Sequence, residues 1–346
     1  MWNVIGHPGA VALLSRSLDA GRLAHAYLLV GQPHAGKTTL ALSLAQALNC
    51  EQEERPCGRC SSCVRIATGK HADVQVIGRL ADSSSGQGPP KKEIGISQIR
   101  ELQKAAALQP YEGTHRVFIV DGAEYLNDES ANCLLKTLEE PPQGVFMVLL
   151  TVNDAALLPT IVSRCQRIEL LPTAPHVVEQ ALVAQWQVAP EKARVLGRLC
   201  RGGIGWAISA LLDESVVEER SVRLAELQGI TAAGLEQRFD FAARLAAQFS
   251  RDRDSVREML ALWVEWWRDL LLANAGCVQL ATNLDQQATL LQQSGDYALS
   301  EIRASIEAIR VALRQMEQNA NARLALEVLM LSIPSRAGEE RAAHAR

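Results

Sequence analysis

Four things are missing from this sequence, and each closes off a class of protein. There is no surplus of positive charge: 35 Lys and Arg stand against 39 Asp and Glu, giving a formal charge of −4 and a pI near 6.0. Such a balance excludes a protein whose whole surface grips nucleic acid, although a local basic patch is compatible with it. No uninterrupted apolar stretch approaches the roughly 20 residues needed to span a bilayer. The first residues, Met1 to Pro8, have no basic leader before an apolar run, which predicts no signal peptide. Nor does any segment repeat at a fixed period. What remains is a chain of 346 residues with 48% hydrophobic content, long enough for two or three domains and a sizeable core. A cytoplasmic location is expected, where the eight cysteines would be reduced or metal-bound rather than disulfide-paired.

Strand and helix patterns alternate through the first half. Residues 24–30 read as a buried strand running into Gly31, and 37–49 as the helix that follows. A second strand at 72–77 leads into a Ser, Gly and Pro-rich stretch, 78–92, read as a mobile loop. A helix at 96–109, a strand at 116–120 ending in Asp121, and a helix from about 128 to 140 come next. That helix must stop at Pro141-Pro142. Strands at 145–151 and about 166–170 complete a mostly parallel sheet covered on both faces. From 175 to 212 the pattern breaks into short helices, and from about 213 to 333 it is helical throughout. Val256, Leu260, Trp263, Trp267 and Leu270 share one face, as do Ile302, Ile306, Ile309, Leu313 and Met316. Residues 336–346 form a polar tail that should fray.

The segment Gly31-Gln32-Pro33-His34-Ala35-Gly36-Lys37-Thr38 has the glycine and lysine spacing of a phosphate-binding loop, and it stands between a strand and a helix. Backbone N–H groups of 31–37 would wrap a β-phosphate, with the positive end of the helix behind them. Lys37 would reach the β- and γ-phosphates, Thr38 would offer its hydroxyl to Mg²⁺, and Thr39 continues the same turn. A chance glycine-rich turn is the competing explanation. Hydrolysis asks for more than this loop: an acid to orient the metal, a base for water, and positive charge at the γ-phosphate.

Close behind stand Cys50, Cys57, Cys60 and Cys63. Four thiolates in a compact loop suit tetrahedral Zn²⁺ and leave no open position for water, so the site would be structural. Iron–sulfur ligation is the rival, but the further Cys before Pro of the usual ferredoxin run is absent. Cys133, Cys165, Cys200 and Cys277 are isolated and read as small buried residues. Asp121, at the end of its strand, stands where a Mg²⁺-orienting carboxylate belongs, or is merely a turn residue. The next position, where a water-polarising Glu is usual, is Gly122. Glu124 comes two residues later and is expected to point away.

On these residues a family resemblance rests. Gly6-His7, Leu23-Ala24-His25-Ala26-Tyr27-Leu28, the phosphate loop, the four cysteines, the 131–142 run ending Leu138-Glu139-Glu140-Pro141-Pro142, and Ser163-Arg164-Cys165 together resemble the bacterial DNA polymerase III clamp-loader subunits of the AAA+ class. The helix around 319–330 is similar to the end of their collar domain, so the resemblance covers about 1–333. It implies an α/β AAA+ P-loop domain with a parallel sheet over 1–172, its zinc knuckle at 50–63. A small helical lid over 173–212, an all-α collar over 213–333 and the 334–346 tail would follow. Two kinds of subunit share the pattern, an ATP-hydrolysing gamma/tau type and a delta-prime type. Gly122 in place of the second acid and Gly205 in place of the lid's sensing arginine favour the delta-prime type. So does the short sequence after the collar, although a short gamma form would match that too.

The resemblance further implies that Arg164 acts as an arginine finger in a neighbour's ATP site, with Ser163 and Cys165 packing beside it. Asn153 would be a polar sensor for the γ-phosphate. ATP and Mg²⁺ would be held by this chain without turnover, and Zn²⁺ would be structural. The implied partners are gamma/tau and delta subunits in a hetero-oligomeric ring, with sliding clamp and primed DNA reached through the assembly and no membrane. The Trp263, Trp266 and Trp267 cluster invites a base-stacking role, but its helical spacing and few neighbouring cations favour core or interface packing.

Overall fold

The computed structural model describes residues 2–79, 93–318 and 320–335. The 78–92 loop, save its first two residues, and the 336–346 tail lie outside them. The chain divides into two compact units: 1–193 with 200–206, and 194–199 with 207–346.

The first unit is built on five parallel strands: β1 (Ala26–Gly31), β2 (Val74–Ile77), β3 (Arg116–Asp121), β4 (Val145–Thr151) and β5 (Gln166–Leu170). Their order is β2-β3-β4-β1-β5. Strand β1 runs between β4 and β5, with Val30 opposite both Thr151 and Glu169. The three central strands, β1, β3 and β4, are near-continuous apolar runs because helices cover both faces there, whereas the edge strands β2 and β5 carry exposed residues. Alternate residues split accordingly. Tyr27, Leu29, Val117, Ile119, Val148 and Leu150 pack with α1 (Pro8–Asp19), α2 (Lys37–Leu48) and α3 (Ser61–Ala67). Leu28, Val30, Phe118, Val120, Met147 and Leu149 pack with α4 (Ile96–Ala106), α5 (Asp128–Glu139) and α6 (Pro159–Val162).

Local chemistry sets the ends of these helices. Pro8 opens α1, where a missing N–H costs nothing. Asn127 caps α5 by accepting from the Ser130 N–H, and Asp128 and Glu129 complement the positive end. The α5 helix ends at Glu139, ahead of Pro141-Pro142 as expected. Helix α7 (Pro175–Trp186) follows, and α8 (Pro190–Leu199) and α9 (Ile204–Leu212) each contribute residues to both units.

The second unit is helical: α10 (Ser215–Ala232), α11 (Leu235–Arg251), α12 (Arg253–Asn274), α13 (Gln287–Gln293), α14 (Leu299–Glu317) and α15 (Ala322–Ser332). The expectation of unbroken helix needs correction, since 275–286 holds only two short 3-10 turns and 294–298 is a connection. Gly276, at φ +72, ends the first stretch. Trp263, Trp266 and Trp267 are at most 2% exposed and form the centre of this unit's core, so their rings cannot stack on bases. The Trp263 indole donates to the Arg223 carbonyl, and Trp267 meets Tyr297 edge to face at 5.0 Å. The parallel sheet with helices on both faces, followed by a helical C-terminal region, is the α/β AAA+ plan that the resemblance implied.

Candidate nucleotide and metal sites

In a parallel sheet all carboxyl ends open on one edge, so the loop after β1, Asp121 at the end of β3 and Asn153 after β4 converge there. The loop turns at His34, φ +61, and Gly36, φ +92, and then enters α2. His7 bonds the Ala35 carbonyl through Nε2 at 2.8 Å and pins the loop from below. From another side, the Gln32 amide donates to Arg201 O and the Gly205 N–H donates to His34 O at 3.0 Å. A Cβ on Gly205 would stand 3.2 Å from His34 O, and one on Gly203 would stand 3.0 Å from Pro33 O. Gly205 is therefore more than an arginine lost: its bare backbone permits close approach to the loop.

Lys37 is buried, and its ammonium donates to the carbonyls of Gly31 at 2.6 Å and Gln32 at 2.8 Å. Burial lowers its pKa, while the charges of Glu124 and then Asp121 raise it. The position of the Glu124 carboxylate beside Val152 corrects the expectation for that residue. Gly122 takes φ +79, a 3-10 turn over Ala123–Tyr125 follows, and this tight return brings the Glu124 carboxylate back toward the lysine. Its Oε1 accepts from the Val152 N–H at 3.4 Å, and its Oε2 is enclosed with no hydrogen-bond partner among the described residues. Asp121 is exposed at the sheet edge. Thr38 is half-buried and Thr39 exposed. Asn153 spends its side-chain oxygen on the Ala155 N–H at 3.1 Å, capping a short turn.

Arg164 lies just past α6. Its guanidinium bonds Thr160 O at 2.9 Å and pairs with Glu139 at 2.7 Å, both side chains partly open to water. Surface pairs of this kind are worth about 1 kcal/mol or less, so the arginine is held but easily released. The Ser163 hydroxyl donates to Thr160 O, and Cys165 packs against the core, where burial pushes its thiol up to about 12.

The four sulfurs of Cys50, Cys57, Cys60 and Cys63 all lie within 4.8 Å of one another. Cys50 follows α2 closely, Cys60 caps α3, and Cys63 lies buried inside it. The Cys57 sulfur accepts the N–H groups of Arg59 and Cys60, which pull its thiol down to about 6, whereas burial pushes Cys63 up to about 12. Around this knuckle runs a polar network that sequence reasoning missed. The Ser62 hydroxyl meets His71 at 3.1 Å. Asp73, 2% exposed, accepts the N–H groups of Tyr111, Glu112 and Gly113, each at 2.8 Å. Arg116 lies 3.3 Å from the same carboxylate, and Arg65 pairs with Glu112. Asp73 lies some 40 residues from the backbone groups it accepts, and no local motif announces the pairing.

Comparison with known proteins gives the family. The family model described as "DNA polymerase III, delta subunit" matches residues 6–174. DNA polymerase III subunit delta′ of Bacillus subtilis is 27% identical over 327 residues, which cover 94% of this chain and 95% of that protein. The gamma/tau subunit of Mycobacterium tuberculosis is 38% identical over 184 residues, 53% of this chain and 30% of its own length. The tau subunit of Escherichia coli is 29% identical over 282 residues, 76% of this chain and 41% of its own length. This chain thus spans less than half of those two relatives and nearly all of the first. Among solved structures, a gamma subunit-related protein of DNA polymerase III from Thermotoga maritima aligns over 92% of this chain and 98% of its own. That alignment has 19% identity and a TM-score of 0.44. The chain belongs to the clamp-loader family of bacterial DNA polymerase III that holds the delta′ and gamma/tau subunits.

Proposed function

We propose that this chain is the delta′ member of a clamp loader: a cytoplasmic ring subunit that lends Arg164 to a neighbouring gamma/tau ATPase and takes part in placing a sliding clamp on primed DNA. The observation that carries the reading is the pairing of an incomplete site of its own with a donor arginine at the surface. Gly122 follows Asp121, and Gly205 sits against His34 where a sensing arginine would otherwise start. Arg164 meanwhile is tethered only by partly exposed groups. A forked, permanently charged guanidinium is suited to neutralising γ-phosphate oxygens. Residues 173–212 serve as lid and 213–333 as collar, and the implied ring partners are gamma/tau and delta.

The residues after β1 fit a nucleotide. Lys37 rests on two carbonyls that a phosphate would replace, and the left-handed Gly36 turns the loop into α2. Gly31, Gly36, Lys37, Thr38 and Thr39 would hold ATP, with Asp121 facing Mg²⁺ and Asn153 at the rim. The four cysteines fit Zn²⁺. Arms of about 2.3 Å put the edges of a tetrahedron at about 3.8 Å. Cys57 and Cys63 lie 4.0 Å apart, whereas a four-iron cluster would spread the sulfurs wider.

Reconstitution with gamma/tau and delta tests the reading. Arg164→Ala should lower the ATPase of the assembly at least tenfold, while Lys37→Ala in this chain should leave most of it intact. Steady hydrolysis by the purified chain, abolished by Lys37→Ala, would instead favour a gamma-type ATPase.

A further inference from the structure

We infer that Glu124 is the second carboxylate of the nucleotide site, one that makes binding of the triphosphate depend on a divalent cation. The inference rests on the nucleotide-site reading above. It goes beyond that reading by giving a role to a residue that sequence spacing sets aside.

Three observations support it. The backbone makes a deliberate return at Gly122: φ +79 there, then the 3-10 turn, with the Tyr125 ring so close that a Cβ on Gly122 would approach it to 2.8 Å. The return carries Glu124 from the end of β3 to the end of β4, where Oε1 meets Val152 N–H. Val152 follows Thr151, which stands opposite Val30, the residue before Gly31 and the phosphate loop. The second oxygen, Oε2, is enclosed and unpartnered among the described residues. An enclosed carboxylate oxygen without a donor is costly and marks a place where a cation or a proton donor is wanted. Finally, Glu124 is the foremost charge acting on Lys37.

With Asp121 and Glu124 both near the loop, a metal-free triphosphate meets two like charges against one lysine. A divalent cation reverses that balance. Glu124 is a positioning group here, and no step of hydrolysis is assigned to it.

The test is equilibrium binding of a fluorescent ATP analogue to the full-length protein, with and without Mg²⁺. Metal-free samples are prepared by desalting rather than chelation, so that the cysteine site is undisturbed. Wild type should bind the Mg²⁺ form more tightly. In Glu124→Gln, which keeps the shape and the Val152 contact, the ratio of Mg²⁺-loaded to metal-free affinity should fall roughly five- to tenfold, the size expected for one charge acting across several ångströms near a surface. Glu124→Ala should show the same fall even if the Val152 contact is lost. An unchanged ratio in both variants, including equal weakening of both forms, overturns the inference while leaving the nucleotide site standing. No binding by wild type in either condition overturns both.

Discussion

Replacing Asp73 by Asn should destabilise the first unit by about 3–4 kcal/mol, because that carboxylate organises the loop between α4 and β3. Oδ2 accepts the N–H groups of Glu112 and Gly113, and Oδ1 accepts that of Tyr111 and faces Arg116. Asparagine offers one acceptor oxygen. If that oxygen takes the Oδ2 position, its NH₂ opposes the Tyr111 N–H and the guanidinium. In the other orientation it opposes two N–H groups. Each orphaned buried donor costs about 1–3 kcal/mol, and bonds to a charged acceptor weaken when the charge goes. Against a total stability of about 5–15 kcal/mol this is a large fraction.

Tryptophan fluorescence is a poor monitor, since three of the six tryptophans are buried in the other unit. Amide hydrogen exchange along β3 is the better assay, and a 3 kcal/mol loss should speed exchange roughly 150-fold there. Acceleration below about fivefold would refute the reasoning. The pH dependence supplies a second check. Burial pushes the Asp73 pKa up, but the three N–H groups and Arg116 more than offset this and hold it below the usual carboxylate range. Its contribution is therefore complete above the unfolded value of about 3.9 and is lost as pH falls through the folded value. The gap between wild type and the Asp73→Asn variant should close in strong acid.

Two further outcomes follow from the geometry. Purified protein should release one zinc ion per chain to a chromophoric thiol reagent, and Cys60→Ser, which also removes the sulfur capping α3, should lower metal content and loosen exchange protection in α3. Gly122→Ala should cost about 1–2 kcal/mol in thermal unfolding, because it forces a side chain into left-handed backbone and against the Tyr125 ring.

What was legible in the sequence is what is local. The phosphate loop and the cysteines each lie within one short segment, so spacing alone declared them. The three central strands are readable because parallel strands covered on both faces are continuous apolar runs, and the edge strands β2 and β5 show only a few β-branched residues. Glu124 escapes the sequence for an equally physical reason: counting along an extended strand puts it out of reach, and the left-handed turn at Gly122 brings it back. In the sequence Gly205 is only a missing side chain, and its 3.0 Å bond to His34 shows what the glycine does. The Asp73 network stayed invisible because its members meet across separate elements. Apolar periodicity continues through 275–286, but Gly276 in left-handed backbone breaks the helix there.

Helix α2 begins at the phosphate loop with Lys37 and ends at Leu48, two residues before Cys50. Twelve residues at 1.5 Å make a rod about 18 Å long. Gln46, on its last turn, also grips the Cys63 carbonyl at 2.8 Å. One end of the rod carries the glycine-rich loop and the other is moored beside the four cysteines. A helix hardly compresses along its axis, so whatever seats on the loop cannot slide this rod backward. A ligand pressing on the loop would therefore be expected to tilt the rod about the knuckle.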